Sequence, residues 1–284
     1  VGHEGAGIVE AIGEKVTRVQ PGDRIAIEPA VSCGYCDQCR AGRPHTCRNQ
    51  LFLGCPGQME GNLAEFIVMP EQQCLKLQAH QTIDDGATSE PLAIGLYAVK
   101  QAALTGHETI GILGFGPIGM SVFQMAKARG TERIFVSEKI EERIQMAEKQ
   151  GAHWVGNPLR QHIARSVSET EPLLLDAVFE CCGQQDAMDT AMDLLKPGGK
   201  LMVVGIPEFD RWSFPADVAR RKEISIIHIR RQNHCAEETL EMLATGSIDG
   251  SAMITHRFRF DEVAMAFDLV AHYRDGVMKA MVDF

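Results

Sequence analysis

The strongest constraint on the fold is a regular alternation of short apolar runs and amphipathic segments after about residue 110. The runs IGILGF, RIFVSE, AVFECCG, KLMVVGI and ISIIHI have the length and apolar content of buried strands. In the first intervening segment, Ile118, Val122 and Met125 share one helical face, and Gly130 ends the predicted helix. Because strand–helix alternation requires crossover connections, the pattern predicts a parallel sheet with helices on both faces.

A glycine-rich turn follows the first of these strands. The segment GFGPIG places Gly114, Gly116 and Gly119 in the spacing G-x-G-x-x-G, directly before the amphipathic helix. The pattern alone is weak evidence, but after a strand such glycines allow a tight turn, close approach of a pyrophosphate and close helix–strand packing. The N–H groups at the start of the helix also favour an anion. The spacing therefore predicts a dinucleotide site, with a purely structural turn as the alternative.

The end of the second strand indicates which dinucleotide binds. Glu138 ends the run RIFVSE, nineteen residues after Gly119. A carboxylate here accepts hydrogen bonds from the ribose hydroxyls and repels a 2′-phosphate, so NAD is predicted over NADP. Lys139 and Arg143 follow within five residues, and their positive charges oppose this preference.

Four of the nine cysteines lie in one fifteen-residue segment, CGYCDQCRAGRPHTC. They are Cys33, Cys36, Cys39 and Cys47. This spacing suits a closed tetrahedral zinc site. An iron–sulfur cluster and a pair of disulfides are the alternatives, but no proline follows the last cysteine and disulfides are rare in the cytoplasm. Because four thiolates leave no open position on the metal, this site would stabilise a loop, and the chemistry must lie elsewhere.

A second group of possible metal ligands is spread over two segments. His3 and Glu4 are adjacent in GHE, and Glu90 precedes Pro91 in SEPLAIG. Since proline disfavours helical geometry in the residue before it, we expect a break between two helical segments at Glu90. His3, Glu4 and Glu90 would then form part of an open zinc site. A polar turn at residues 2–4 and a carboxylate at a helix start are the alternatives.

Composition limits the size and the partners of the protein. The 284 residues, 45% of them hydrophobic, suffice for two domains with separate cores. The net charge of −10 argues against nucleic acid or an anionic membrane as a partner, and no apolar run is long enough to cross a bilayer. No secretory leader is visible, and the five cysteines outside the cluster suit a reduced, cytoplasmic protein.

The first hundred residues are predicted to be rich in short strands. The runs AGIVEAIG, DRIAIEP and EFIVMP alternate or are apolar, with turns at PGD and EGN between them. Thr82 and Asp85 have the spacing of a helix-capping pair. Because the chain opens on one half of a strand pair, we expect further residues to belong before Val1.

Seven segments follow one another along the chain: GHEGAGIVEAIG, the four-cysteine segment, EGNLAEF, SEPLAIG, GFGPIG, ECCG and KPGGKLMVVG. Together, and in this order, they resemble the zinc-containing medium-chain alcohol and polyol dehydrogenases. The resemblance implies an α/β protein with two domains. Residues 1–92 and 233–284 would form a GroES-like, β-rich catalytic domain that lacks its N-terminal part. Residues 93–232 would form a Rossmann domain with a doubly wound parallel sheet that binds NAD, and the active site would lie in the cleft between the domains.

The resemblance also assigns roles to individual residues. It implies two zinc ions per subunit, a structural one in the four-cysteine segment and a catalytic one near His3, Glu4 and Glu90. The remaining cofactor-binding residues that it implies are Pro117, Ile118, Lys139, Arg143, Cys182, Val204, Gly205 and Ile206, the last three passing the nicotinamide. Arg231 would lie near substrate or cofactor, and Phe52 and Leu53 would line the substrate pocket or pack in the core. The family also has a cysteine ligand and a Ser or Thr of a proton relay upstream of GHE, and neither is present in this chain.

Glu90 stands where ethanol-type members have a cysteine ligand, which resembles the sorbitol and polyol branch. The expected reaction is hydride transfer between a secondary alcohol (a polyol, sugar or vicinal diol) and NAD. A threonine dehydrogenase-like enzyme, a simple alcohol dehydrogenase and an inactive NAD-binding paralogue are the alternatives. We also expect a dimer or tetramer that pairs through the strand EISIIHI at residues 223–229.

Overall fold

The structure, a computed structural model, describes residues 1–284. The strands are β1 (Ala6–Ile8), β2 (Arg24–Ile27), β3 (Ala30–Val31), β4 (Leu51–Phe52), β5 (Cys74–Lys76), β6 (Ile110–Leu113), β7 (Ile134–Ser137), β8 (Trp154–Gly156), β9 (Leu175–Glu180), β10 (Leu195–Val203), β11 (Ser225–His228), β12 (Ile254–Arg259) and β13 (Lys279–Asp283). The α-helices are α1 (Asp37–Arg40), α2 (Ile83–Ala102), α3 (Pro117–Ala128), α4 (Glu141–Lys149), α5 (Ile163–Thr170), α6 (Gln185–Leu194), α7 (Ala216–Arg221), α8 (Ala236–Ala244) and α9 (Val263–Ala271). Short 3-10 turns occur at Pro44–Thr46, Glu71–Gln73, Ser251–Met253 and Phe260–Glu262.

The chain divides into two compact units. One consists of residues 1–93 and 230–284, and the other of residues 94–229. Helix α2 contains one of the boundaries between them. None of the helices is both long and apolar enough to cross a membrane.

The unit at residues 94–229 is built on a six-stranded parallel sheet, as predicted. The strand order is β11-β10-β9-β6-β7-β8. From β6 the chain adds strands in one direction, and from β9 it adds them in the other. The order therefore reverses between β6 and β9, which is the position where open α/β sheets bind ligands, at the carboxyl ends of the strands.

The apolar residues of this sheet pack against its helices. Leu175, Val178 and Leu201 of the central strands are fully buried, and Met188 and Met192 of α6 belong to the same cluster. Each such side chain contributes about 1.5–3 kcal/mol by leaving water. Because this packing holds the central strands in place, it also holds the loops at their carboxyl ends.

The other unit contains three small sheets. Strands β1, β2 and β5 form an antiparallel sheet, β3 pairs with β4, and β12 pairs with β13. Val19, Ile25, Ile27 and Leu53 form a core cluster in this unit. The predicted strand EFIVMP is wrong, because residues 65–70 adopt no strand structure. Their alternating pattern has no neighbouring strand to pair with, and Phe66 and Val68 are exposed.

Helix α2 begins as predicted but has no break at Glu90. Its predicted capping pair is confirmed, since the Thr82 N–H donates to Asp85 Oδ2 at 2.7 Å and the Asp85 N–H to Thr82 Oγ1 at 3.1 Å. The break expected at Glu90 is wrong, because the helix continues through Pro91. An interior proline costs about 3 kcal/mol, but Leu92, Leu96 and Val99, which follow it, are fully buried and together contribute more.

Candidate active site

The structure brings together the three residues predicted for an open metal site. His3 and Glu4 lie in the segment before β1, and Glu90 lies within α2. One ligand atom of each residue lies within 4.8 Å of the others. Because Glu90 is in the interior of the helix, it is not the helix-start carboxylate of the alternative interpretation. A nitrogen and two carboxylates at this spacing can bind one divalent cation.

Glu90 presents a carboxylate oxygen that is able to bind a cation. The side chain is buried, and its Oε2 atom has no hydrogen-bond partner. Burial, and then the charges of Glu4 and Glu28, raise the pKa of Glu90 to about 8. A buried carboxylate oxygen without a partner is unfavourable unless it is protonated, paired or bound to metal. Zinc fits this donor set, since an imidazole and carboxylates are among its usual ligands.

His3 is held in the form that binds metals. Burial is the main cause that lowers the pKa of His3, so the imidazole is neutral at pH 7. Its ring centre lies 5.0 Å from that of Phe52, and the guanidinium carbon of Arg231 lies 3.4 Å from the same Phe52 ring. Phe52 therefore lies beside the predicted metal site, whereas Leu53 belongs to the core cluster.

Two charged residues of this site are absent from the sequence-based prediction. Lys279 of β13 forms an ion pair with Glu4 Oε2. Glu28 accepts a hydrogen bond from Gln232 Nε2 at 2.6 Å, and burial raises the pKa of Glu28. A lysine directly before the apolar residues of β13 could have signalled the first. Nothing in the spacing of Glu28 would have placed it near Glu90.

The four cysteines of the segment from Cys33 to Cys47 form a second, separate cluster. The Sγ–Sγ distances are 3.5 Å for Cys33–Cys47, 3.6 Å for Cys36–Cys39, 3.9 Å for Cys36–Cys47 and 4.0 Å for Cys33–Cys39. Four sulfurs at 2.3 Å from a zinc ion in tetrahedral geometry would be about 3.8 Å apart. The distances match this value and are far too long for disulfide bonds. The cluster therefore fits a structural zinc site.

Backbone N–H groups support thiolates in this cluster. The N–H groups of Cys33 and Asn49 each donate to Cys47 Sγ at 3.3 Å. Hydrogen bonds from the backbone of Arg48, and then of Cys39, lower the pKa of Cys36 to about 6. Burial and the neighbouring thiols raise the pKa of Cys39 to about 11. A bound cation is therefore needed for all four sulfurs to be charged at neutral pH.

The glycine-rich turn has the geometry that its spacing predicts. Gly114 has a φ of +92°, and a Cβ at Gly119 would lie 1.9 Å from the Gly114 carbonyl oxygen. Helix α3 begins at Pro117, immediately after Gly116. Arg143 is buried, with its Nη1 atom 3.3 Å from where a Cβ on Gly116 would lie. At Gly119 only glycine allows this close packing, and the N–H groups at the start of α3 are suited to bind a phosphate.

Glu138 is directed at the same turn. Its Oε2 accepts the Phe115 N–H at 2.6 Å, and its Oε1 accepts the N–H groups of Lys139 and Ile140 at 2.7 Å and 3.0 Å. These bonds join the loops that follow β6 and β7. A carboxylate has about four acceptor positions, so capacity remains for a ribose hydroxyl.

Four further residues predicted to bind the cofactor lie at the carboxyl ends of β9 and β10. Cys182 follows β9, and a Cβ at Gly114 would lie 2.9 Å from the Cβ of Cys182. Val204, Gly205 and Ile206 follow β10, with Val204 buried and Ile206 largely exposed. The sheet thus places these residues at one edge, together with the glycine-rich turn.

Comparison with known proteins agrees with this description. Residues 1–79 match the alcohol dehydrogenase GroES-like domain, and residues 117–245 match the zinc-binding dehydrogenase family. L-idonate 5-dehydrogenase of Vitis vinifera is 34% identical over 279 residues, which is 95% of this chain and 75% of the relative. Sorbitol dehydrogenase of Arabidopsis thaliana is 32% identical over 284 residues, which is 98% of this chain and 78% of the relative.

A solved structure extends the likeness to the fold. An alcohol dehydrogenase of Escherichia coli CFT073, crystallised with NADH, superimposes with a TM-score of 0.93 at 26% identity, covering 100% of this chain and 83% of the other. The chain belongs to the zinc-containing medium-chain alcohol and polyol dehydrogenase family. Nothing in these comparisons supports the inactive NAD-binding paralogue considered above.

Proposed function

We propose that the protein oxidises a secondary hydroxyl group of a polyol, sugar or vicinal diol and reduces NAD. The observation that carries this proposal is Glu90, a buried carboxylate with an unpartnered oxygen beside His3 and Glu4. In ethanol-type relatives a cysteine takes this place, and a carboxylate is a harder ligand that leaves room for a second substrate oxygen. Two relatives of this chain, an L-idonate 5-dehydrogenase and a sorbitol dehydrogenase, support the same substrate class.

His3, Glu4 and Glu90 would hold the catalytic zinc, which as a Lewis acid lowers the pKa of the substrate hydroxyl. The neutral imidazole of His3 offers a nitrogen lone pair, and Phe52 limits how that ring can turn. The ion pair with Lys279 partly neutralises Glu4, whereas Glu90 Oε2 has no competing partner. Glu90 is therefore the carboxylate that is more available to the metal.

The nucleotide-binding residues position the hydride acceptor. The glycine-rich turn and the N-terminus of α3 would bind the pyrophosphate, and Glu138 would bind the adenosine ribose. The reaction removes a hydride from the carbinol carbon and a proton from its hydroxyl group. NAD takes up the hydride, and the proton is released to solvent.

We also propose how the chain is organised and how it assembles. Residues 1–92 and 233–284 would form the catalytic domain, and residues 93–232 the NAD-binding domain. Strand β11 lies at the edge of the parallel sheet, and pairing with its two-fold mate would satisfy its open edge in a dimer or tetramer. A cytoplasmic location agrees with the five cysteines outside the zinc cluster, none of which forms a disulfide.

A matched pair of substrates tests the proposed function. We would compare kcat/KM for a 1,2-diol and its monohydroxy analogue, with NAD and saturating zinc. The diol should be preferred by about tenfold or more, because a second oxygen contact that strengthens in the transition state raises kcat/KM. Glu90→Cys should bring the kcat/KM values for the diol and the monohydroxy analogue closer together. A monohydroxy compound that equals the diol would contradict the substrate class, and a protein that reduces no NAD would contradict the reaction.

A further inference from the structure

Glu180, the last residue of β9, is a carboxylate that is fully buried at the cofactor edge of the sheet. Its Oε1 atom accepts the backbone N–H groups of Cys182 at 2.9 Å and Gly183 at 2.6 Å, and the Cys182 thiol at 3.2 Å. Its main-chain carbonyl accepts the N–H groups of Val204 and Gly205, both at 2.9 Å. One residue thus joins the loop after β9 to the loop after β10.

Close packing of glycines couples these loops to the glycine-rich turn. A Cβ at Gly205 would lie 2.3 Å from the nitrogen of Gly183 and 2.6 Å from Glu180 Oε2. A Cβ at Gly114 would lie 2.9 Å from the Cβ of Cys182. None of these positions has space for a side chain, so a shift of the Glu180 carboxylate would displace all three loops.

Only one of the two carboxylate oxygens of Glu180 is hydrogen-bonded. Oε2 is buried and has no hydrogen-bond partner, and the partners of Oε1 are N–H groups and a thiol, not a lysine or arginine. Burial, and then the negative charge of Glu180, raise the pKa of Cys182 to about 12. A negative charge in such a poorly screened place acts on groups beyond its direct contacts.

The sheet topology indicates which half of the cofactor is near this charge. A dinucleotide binds across the reversal of strand order, with one nucleotide over each half of the sheet. Glu138, after β7, lies on the half predicted to hold the adenosine ribose. The nicotinamide nucleotide would then lie over the carboxyl ends of β9 and β10, where Glu180 is found. This step depends on the proposed function, since it requires that NAD binds.

We propose that Glu180 is a positioning residue for the nicotinamide half of NAD. It holds the loops at residues 181–183 and 204–206 in place for that half of the cofactor. Its negative charge, which three donors to Oε1 stabilise and no lysine or arginine neutralises, also favours the oxidised ring, which carries a positive charge, over the neutral reduced ring. The residue touches neither the substrate nor the reacting atoms, and it acts through the loops and through its field.

The variant Glu180→Gln tests both the positioning role and the effect of the charge, because it keeps the size of the side chain and removes the charge. We would measure dissociation constants for NAD, NADH and ADP-ribose by calorimetry on the parent and the variant. ADP-ribose, which lacks the nicotinamide, should bind within about twofold of the parent, while NAD should weaken by about tenfold or more and NADH by less. A merely structural role would weaken NAD and NADH equally, so an unchanged ratio of their affinities overturns the proposal.

A second variant covers the case in which Glu180→Gln does not fold. Glu180→Asp keeps the charge but is one methylene shorter, so it should weaken NAD and NADH together by about fivefold and leave their ratio at the parent value. Binding of NAD as tight as in the parent would overturn the positioning role. Glu132→Gln, which removes an exposed carboxylate from the same unit, is the matched control and should change none of the constants.

Ligand binding by the parent protein distinguishes a failure of the proposed function from a failure of the role of Glu180. If it binds none of the three ligands, the proposed function is contradicted, and the role of Glu180 with it. If it binds all three and Glu180→Gln keeps the parent ratio, only the role of Glu180 is contradicted.

Discussion

The ring of Phe52 lies 5.0 Å from the imidazole of His3, and this contact links a buried aromatic residue to a candidate metal ligand. Phe52 ends the short strand β4 and is also covered by the guanidinium group of Arg231. The orientation of His3 therefore depends on packing in its own unit as well as on any bound metal.

Phe52→Leu tests this dependence. The loss of the aromatic contacts should lower the free energy of unfolding by about 1–2 kcal/mol and weaken zinc binding at the open site by about tenfold. Urea denaturation and competition with a zinc-binding dye measure the two effects. Leu51→Ala, at the exposed neighbour in the same strand, should change neither. Parent-like zinc affinity in the Phe52 variant would show that His3 is oriented in another way.

Cys39→Ser should remove the structural zinc. The bound metal should fall from two zinc ions per subunit to one, and the segment from Cys33 to Cys47 should become sensitive to proteolysis, because the closed site folds this segment. Elemental analysis and limited proteolysis measure these effects. Cys74→Ser, outside the cluster, serves as the control and should keep both ions. A Cys39 variant that loses one ion yet resists unfolding like the parent would refute a stabilising role.

The raised pKa of Glu90, about 8, predicts how the stability of the metal-free protein depends on pH. The unfolded chain releases this proton near pH 4.5, whereas the folded protein keeps it until about pH 8. The free energy of unfolding should therefore fall as the pH rises between these values. In Glu90→Gln this fall should be smaller by about 1–3 kcal/mol. Denaturant titrations of chelator-treated parent and variant measure the difference.

The comparison between parent and Glu90→Gln isolates this residue from its neighbours. Burial also raises the pKa of Glu28, and burial lowers the pKa of His3, but both groups are present in both proteins. Zinc binding at the open site should show the opposite trend and strengthen with rising pH, because the metal binds the deprotonated carboxylate. Parallel stability curves for the two proteins would argue against a buried, protonated Glu90.

Glu138→Ala should relax the preference for NAD over NADP by about tenfold, because the carboxylate that repels a 2′-phosphate is gone. It should also lower stability by about 1 kcal/mol, since three backbone N–H groups lose their acceptor. Steady-state kinetics with both cofactors measures the first effect. Glu141→Ala, at an exposed carboxylate of α4, is the control. Equal efficiency with both cofactors in the parent would contradict the role of Glu138.

The edge strand β11 should mediate self-association. Ile227→Lys should convert a dimer into a monomer, because a buried charge on each side of a two-fold strand pair repels its mate. Light scattering at micromolar concentration measures the mass. Leu173→Lys, at an apolar residue that is exposed elsewhere in the same unit, should leave the mass unchanged. A monomeric parent would rule out this assembly.

The sequence alone was sufficient for the features that depend on local patterns. The apolar runs of β6 and β7 and the glycines of the turn after β6 indicate their structure through periodicity and steric demand, which act within a few residues. The four-cysteine cluster was also predictable, because its ligands lie within one fifteen-residue segment. The predicted helix break at Glu90 was wrong because burial of the apolar residues that follow Pro91 in α2 outweighs the local cost of the proline.

Only the tertiary structure decided which distant residues meet. His3 and Glu90 are 87 positions apart in the chain, and Lys279 reaches Glu4 from the other end of the sequence. The surroundings of the buried Glu180 carboxylate likewise depend on how the loops after β9 and β10 pack together. Such contacts have no sequence spacing that marks them, because burial and electrostatics act through space and not along the chain.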